Sequence, residues 1–227
     1  MAIKIVAFDA DDTLWDNEAY FQETEQKFCQ LLEDYLPIHT LSRELLQTEV
    51  TNLSLYGYGI KGFMLSMIET ALRVTDKTIP PEAIEKILQF GKELLAKPVT
   101  IIDGVEQVLS ELKNRYRLVM ATKGDLLDQH RKLHKSGLGH YFHHIEIMTE
   151  KGEEDYKKLI KRLDIKAEEF VMIGNSLKSD VLPVLHIGGH GIHIPYHTTW
   201  AHEKIEVNID HPNFRQVSSI REVTQYL

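Results

Sequence analysis

Apolar residues in the first hundred positions recur at two periods. Residues 3–8, IKIVAF, are a short and nearly unbroken apolar run that stops at Asp9, which predicts a buried strand. From there to about residue 98 the spacing lengthens to threes and fours. Phe21, Phe28, Leu32 and Tyr35 share one face of a predicted helix over 18–36, and Leu41, Leu45, Leu46 and Val50 share one over 41–53. Phe63, Met67, Ala71 and Leu72 form a third stripe. Ile84, Ile87, Leu88, Leu94 and Leu95 form a fourth, opening at Pro80-Pro81, where proline is tolerated in a first turn. Four successive helices with no strand between them predict a separate helical bundle.

From residue 99 the pattern becomes regular alternation. A helix over 104–114 leads to a strand over 117–122, then a helix over 126–136 and the strand HIEIM at 144–148. A helix at 154–163, the strand FVMIG at 170–174, a helix near 178–187 and the strand GIHIP at 191–195 complete the series. Such alternation predicts an α/β fold, a Rossmann-like parallel sheet with helices on both faces. The expected organisation is one α/β core domain from residues 1–16 and 99–227, interrupted by an inserted all-helical domain at 17–98. Hinges are expected near Asp16 and across Pro98 to Asp103.

Bulk properties narrow the functional classes. A chain of 227 residues with 43% hydrophobic content has room for one large domain or two unequal ones. Its apolar runs are short and broken, and the N-terminus meets Asp9 within a few residues, so neither a signal peptide nor a membrane span is expected; a cytoplasmic location follows. The single cysteine, Cys29, lies in an amphipathic pattern and reads as a buried, inert thiol. A net charge of -8 without any Lys/Arg-rich run counts against a nucleic-acid partner. Any phosphate site must therefore be built locally.

Candidate chemistry begins where the first strand ends. IVAFDADDTLWD, residues 5–16, places Asp9, Asp11 and Asp12 within four positions behind a buried run. Carboxylates so close repel one another and resist desolvation, so they require a cation, hydrogen-bond donors or water. In an open parallel sheet ligands bind beyond the carboxyl ends of the strands. That rule gathers Asp9, Asp11 and Thr13 after the first strand and Thr122, Lys123 and Asp125 after the second. It adds Lys151 after the third and GNSLKSD, residues 174–180, after the fourth.

DADDTL resembles the D-x-D-x-T signature of the haloacid dehalogenase superfamily, Thr122 in VMATKGD its second motif, Lys151 its third, and GNSLKSD its fourth. The helical insertion is similar to the cap of the subclass that closes over small substrates. The resemblance implies a phosphatase acting on a small phosphorylated metabolite. Asp9 would attack phosphorus and form an aspartyl phosphate, and Asp11 would protonate the leaving alkoxide and then activate water. Mg2+ would be held by Asp9, the backbone carbonyl of Asp11, Asn175 and Asp180. Thr13, Thr122, Lys123 and Lys151 would meet the phosphoryl oxygens.

Two residues depart from the family pattern. Asp12 stands where glycine is commonest and reads as structural, since aspartate tolerates a left-handed backbone. Asn175 stands where aspartate is usual; its amide oxygen can still ligate a metal or orient a metal-bound water, without charge. Lys151 is preferred to Lys157 and Lys158 because it precedes a helix rather than lying along one.

Other readings stand beside this one. A phosphomutase uses the same two aspartates. A phospho-accepting receiver domain gathers similar residues but places its aspartate after the third strand, where this chain has Thr149. A relative without turnover is the third. LYGYGIKGF, residues 55–63, is either a plain inter-helix connection or a loop whose Tyr58 and Lys61 select the substrate. His186, His190, His193, His197 and His202 straddle a helix end, a strand and a loop, and lack the spacing of a zinc helix.

Overall fold

A computed structural model describes residues 2–227. Six strands form one parallel sheet: β1 (Ile5–Phe8), β2 (Arg117–Lys123), β3 (His144–Met148), β4 (Phe170–Gly174), β5 (His190–His193) and β6 (Phe214–Gln216), in the order β3-β2-β1-β4-β5-β6. Every residue of β1 is fully buried, as expected of a central strand covered on both faces. Side-chain alternation splits the core in two. Val6 and Phe8 pack with α5 (Val105–Leu112), α6 (Leu126–Ser136) and the C-terminal turns at 220–226; Ile5 and Ala7 pack with α7 (Glu153–Arg162) and α8 (Leu182–His186).

Between β1 and α5 the chain runs through α1 (Glu18–Leu31), α2 (Ile38–Tyr56), α3 (Ile60–Val74) and α4 (Pro81–Ala96). These helices have a hydrophobic cluster of their own around Phe28, Leu32, Leu41, Leu45, Met67 and Ile87. Each fully buried side chain of this size contributes about 1.5–3 kcal/mol. The chain divides into two compact units. One holds the chain up to Glu18 with Val99–Lys123 and Gln129–Leu227; the other holds Ala19–Pro98 together with Gly124–Asp128. Among the described residues no helix is long and apolar enough to cross a membrane.

Several elements differ from their sequence-based expectation. The first helix ends at Leu31, which leaves Tyr35 exposed among turns, and Val50, Leu72 and Leu88 sit exposed at the margins of their stripes. A fixed spacing of three and four drifts around the helix, so residues at a stripe's edge leave the buried face. The segment expected as one helix near 178–187 is instead a π-helical turn at Leu177–Val181 followed by the short α8. β6 has no sequence signal, because Phe214-Arg215-Gln216 contains one apolar residue and borders the sheet edge.

The turn after β1 carries the main local constraint. Asp12 has φ 61°, in the left-handed region, and its carboxylate accepts the backbone N–H groups of Asn17 and Glu18 at 2.8 and 3.1 Å, where α1 begins. The backbone angle and the cap are separable. Asp12→Asn keeps both and is expected to cost less than about 1 kcal/mol, whereas Asp12→Val strains the backbone and removes the cap, at about 2–4 kcal/mol. Urea unfolding of the two variants checks this, and equal costs would contradict it.

Candidate active site

In the strand order observed here the topological switch lies between β1 and β4, and the crevice beyond their carboxyl ends is the expected ligand position. Asp9 immediately follows β1, and its N–H donates to the Ile173 carbonyl of β4 at 2.8 Å. Asp180 lies in the π-helical turn that follows β4. Lys151, between β3 and α7, inserts its ammonium between the two carboxylates. It donates to Asp9 Oδ1, and to Asp180 Oδ1 at 2.6 Å. All three side chains are buried. Burial alone would lower the Lys151 pKa, but the charges of Asp180 and Asp9 outweigh it and hold the group above its ordinary value. Burial pushes Asp9 up to about 7; Lys151 opposes that shift, and Asp180 adds to it.

Thr13 Oγ1 lies 3.4 Å from Asp9 Oδ2 and 3.3 Å from Asn175 Oδ1, so one hydroxyl proton serves two acceptors. The second Asp180 oxygen accepts the Ser176 N–H at 2.9 Å. Asp9, Asp180 and Asn175 are thus brought to one place by Lys151 and Thr13. Two carboxylates against one ammonium leave this dry pocket short of positive charge, and the remaining donors are hard oxygens. That set fits a hard divalent cation. Among the described residues no three His, Cys, Asp or Glu side chains form a metal group.

Asp11 turns to a different set of partners. Its Oδ1 accepts the Trp15 Nε1–H at 2.7 Å, its Oδ2 accepts from Gln129 Nε2 at 2.9 Å, and Lys132 Nζ reaches both oxygens at 2.6 and 2.8 Å. Asp12 is pushed up to about 7 by burial and by the neighbouring Asp11 charge, against the two N–H groups it accepts. The three crowded carboxylates therefore reach three separate solutions: a buried lysine, a partly buried lysine with two N–H donors, and a helix start.

The loop after β4 is tethered on several sides. Glu203 accepts from Lys123 Nζ at 2.7 Å and from the hydroxyls of Ser176 and Ser179 at 2.6 Å each. Tyr156 donates to the Ser179 carbonyl at 3.0 Å, and the His193 ring lies 3.0 Å from the Asn175 carbonyl. Burial alone would raise the Glu203 carboxyl, but Lys123 and the two hydroxyls outweigh it and hold it down at about 2. Lys123, expected to meet phosphate, thus has its ammonium held by Glu203 and by Ser179. Thr122 is buried, its hydroxyl 3.4 Å from the Lys123 carbonyl.

Tyr58 and Lys61 belong to the helical unit, where Lys61 pairs with Asp125 at 2.7 Å. Lys157 pairs with Glu154, and Lys158 with Asp155, on the exposed face of α7. The histidines disperse: His186 faces Glu153, and His202 faces Lys178. Sequence reasoning named His193 only as one of a dispersed histidine group and missed Trp15, Gln129, Lys132, Tyr156 and Glu203. Of these only Gln129 and Lys132 leave a trace, as polar residues three apart on a predicted helix that starts at the candidate edge.

The family model for haloacid dehalogenase-like hydrolases matches residues 3–188. A glyceraldehyde 3-phosphate phosphatase from Methanothermobacter thermautotrophicus is 24% identical over 242 residues, covering 97% of this chain and 99% of the relative. A haloacid dehalogenase-like family hydrolase from Xanthomonas campestris superposes with a TM-score of 0.90 at 40% identity, over 99% of this chain and 90% of that one. The putative HAD-hydrolase YfnB from Bacillus subtilis, solved bound to magnesium, shares the fold with a TM-score of 0.67 at 18% identity, over 100% and 99% of the two chains.

The Glu203 network has a pH signature. A carboxyl held below its ordinary value adds stability above the unfolded pKa of 4.5 and loses it as pH falls toward 2. The full effect is about 3 kcal/mol, and roughly 2 kcal/mol of it disappears between pH 7 and pH 3. The stability gap between the wild-type chain and Glu203→Gln, measured by urea unfolding, is expected to narrow by that amount over the interval. A gap independent of pH would contradict the assignment.

Proposed function

We propose that this chain, which belongs to the haloacid dehalogenase-like hydrolases, hydrolyses phosphate monoesters of small metabolites, with Asp9 as nucleophile and Asp11 as proton carrier. The observation that carries this reading is that two carboxylates two residues apart are given separate settings, Asp9 with Lys151 and Asp11 with Lys132. Cleaving a carbon–halogen bond needs no acid for the departing group. An alkoxide does, and a second carboxylate held apart from the nucleophile supplies one. The activity named for the Methanothermobacter relative points the same way.

An Asp9 oxygen forms a bond to phosphorus as the ester P–O bond breaks, and the departing alkoxide takes a proton from Asp11. Water then attacks the same phosphorus and gives its proton to the Asp11 carboxylate. The Asp9–phosphorus bond breaks, and inorganic phosphate leaves. Lys151 remains charged throughout and offsets the negative charge of the transferring group, while Thr13 and Thr122 offer hydroxyls to its oxygens. Mg2+ fits the Asp9, Asp180 and Asn175 oxygens with the Asp11 backbone carbonyl, and when bound it would supply the positive charge that Lys151 alone leaves lacking. The helical unit, with Tyr58 and Lys61, is read as the cap that selects among substrates.

The test is a panel of phosphorylated sugars, nucleotides and organic acids, with 2-haloacids alongside, assayed in Mg2+ and in chelator. Phosphate release that requires Mg2+ and falls about 1,000-fold or more in Asp9→Asn is expected. Halide release without phosphate release would overturn the reading, as would near-normal turnover by the variant.

A further inference from the structure

The Asp11 carboxylate is held by more donors than a partly exposed aspartate requires. Gln129 and Lys132 lie three apart on α6, hence on one face of that helix, and both grip Asp11. Lys132 Nζ spans both carboxylate oxygens and also donates to Asn17 Oδ1 at 3.2 Å. Gln129 is almost fully buried and divides its NH2 group between Asp11 Oδ2 and the Lys123 carbonyl, each at 2.9 Å, so it links Asp11 to the end of β2. Its own Oε1 is buried without a hydrogen-bond partner, so its polar contacts here run through the NH2 group.

We propose that Lys132, assisted by Gln129, is a positioning residue for Asp11, fixing the carboxylate that delivers a proton to the leaving oxygen. The inference rests on the reading of Asp11 as proton carrier given above. Trp15, from the same turn as Asp11, sets one side of the carboxylate, and α6 sets the other. Asp11 is thereby held in a single orientation rather than sampling the rotamers open to a surface aspartate. Proton transfer depends steeply on such placement, and a displacement of about 1 Å can cost about 100-fold.

The chemistry supplies a readout that general loosening of the fold would not move. The ratio kcat/KM covers the steps up to departure of the leaving group, where an alkyl phosphate needs the proton and an aryl phosphate with a good leaving group does not. Lys132→Met and Lys132→Gln are compared with the wild-type chain on one alkyl and one aryl phosphate, with Asp11→Asn and Lys132→Arg in parallel. The expected result is a loss of kcat/KM about 10- to 100-fold larger for the alkyl than for the aryl substrate in both neutral variants, with partial rescue by arginine. If Asp11→Asn separates the two substrates and neither neutral Lys132 variant does, the positioning role is overturned and Asp11 keeps its own. If Asp11→Asn does not separate them, the reading of Asp11 fails and this inference fails with it.

Discussion

One buried ammonium organises the carboxyl edge of the sheet. Lys151 lies between Asp9 and Asp180, and neither carboxylate could occupy so dry a position without it. The pair must come from neighbouring strands, which is what placing β4 beside β1 achieves. The lysine must come from just before α7, on the connection that leaves β3 and crosses back to β4. Two anions facing one cation still leave an unbalanced charge, and burial, with the Asp180 charge adding to it, keeps the Asp9 carboxyl raised despite Lys151. The same imbalance suits a site that receives further positive charge together with an anionic substrate.

Around that centre the chain invests heavily in holding one loop. Residues 174–180 are fastened by Glu203, Lys123, Tyr156 and His193, from four separate segments, in addition to Lys151. The π-helical turn within the loop directs the Asp180 carboxylate toward Lys151 while its N-terminal Ser176 caps the turn. Wide turns of this kind occur where a functional side chain must be presented away from regular helical register. Asp11 is held by a different set of partners, which come from α6 and from its own turn.

Much of the α/β part was legible because its strands are short apolar runs bounded by turn residues. HIEIM and FVMIG became β3 and β4 with the expected boundaries, and the helix expected over 126–136 became α6. The sheet-edge rule also gathered Asp9, Thr13, Lys151, Asn175 and Asp180 from three separate stretches. What stayed hidden was long-range side-chain pairing. Nothing in the sequence near Glu203 marks it as the partner of Lys123, 80 residues away. Lys132 leaves only the trace of its spacing from Gln129 among the neighbouring basic residues of its helix. Position before a helix set Lys151 apart from Lys157 and Lys158 in the sequence, but only the folded chain shows that Lys151 is buried between two carboxylates and Lys132 half-buried against one, whereas Lys157 and Lys158 pair with neighbours on an exposed helix face.

The most direct test of the account concerns the oxygen of Asp9. A reaction quenched during turnover of a phosphate monoester, reduced with borohydride and digested, would show which carboxyl carried phosphorus, since an acyl phosphate is reduced to an alcohol and a free carboxylate is not. Reduction is expected at Asp9 alone, dependent on substrate and absent from Asp9→Asn. Phosphate release with Asp9 unmodified at every quench time, or reduction at another carboxylate such as Asp11, would contradict it.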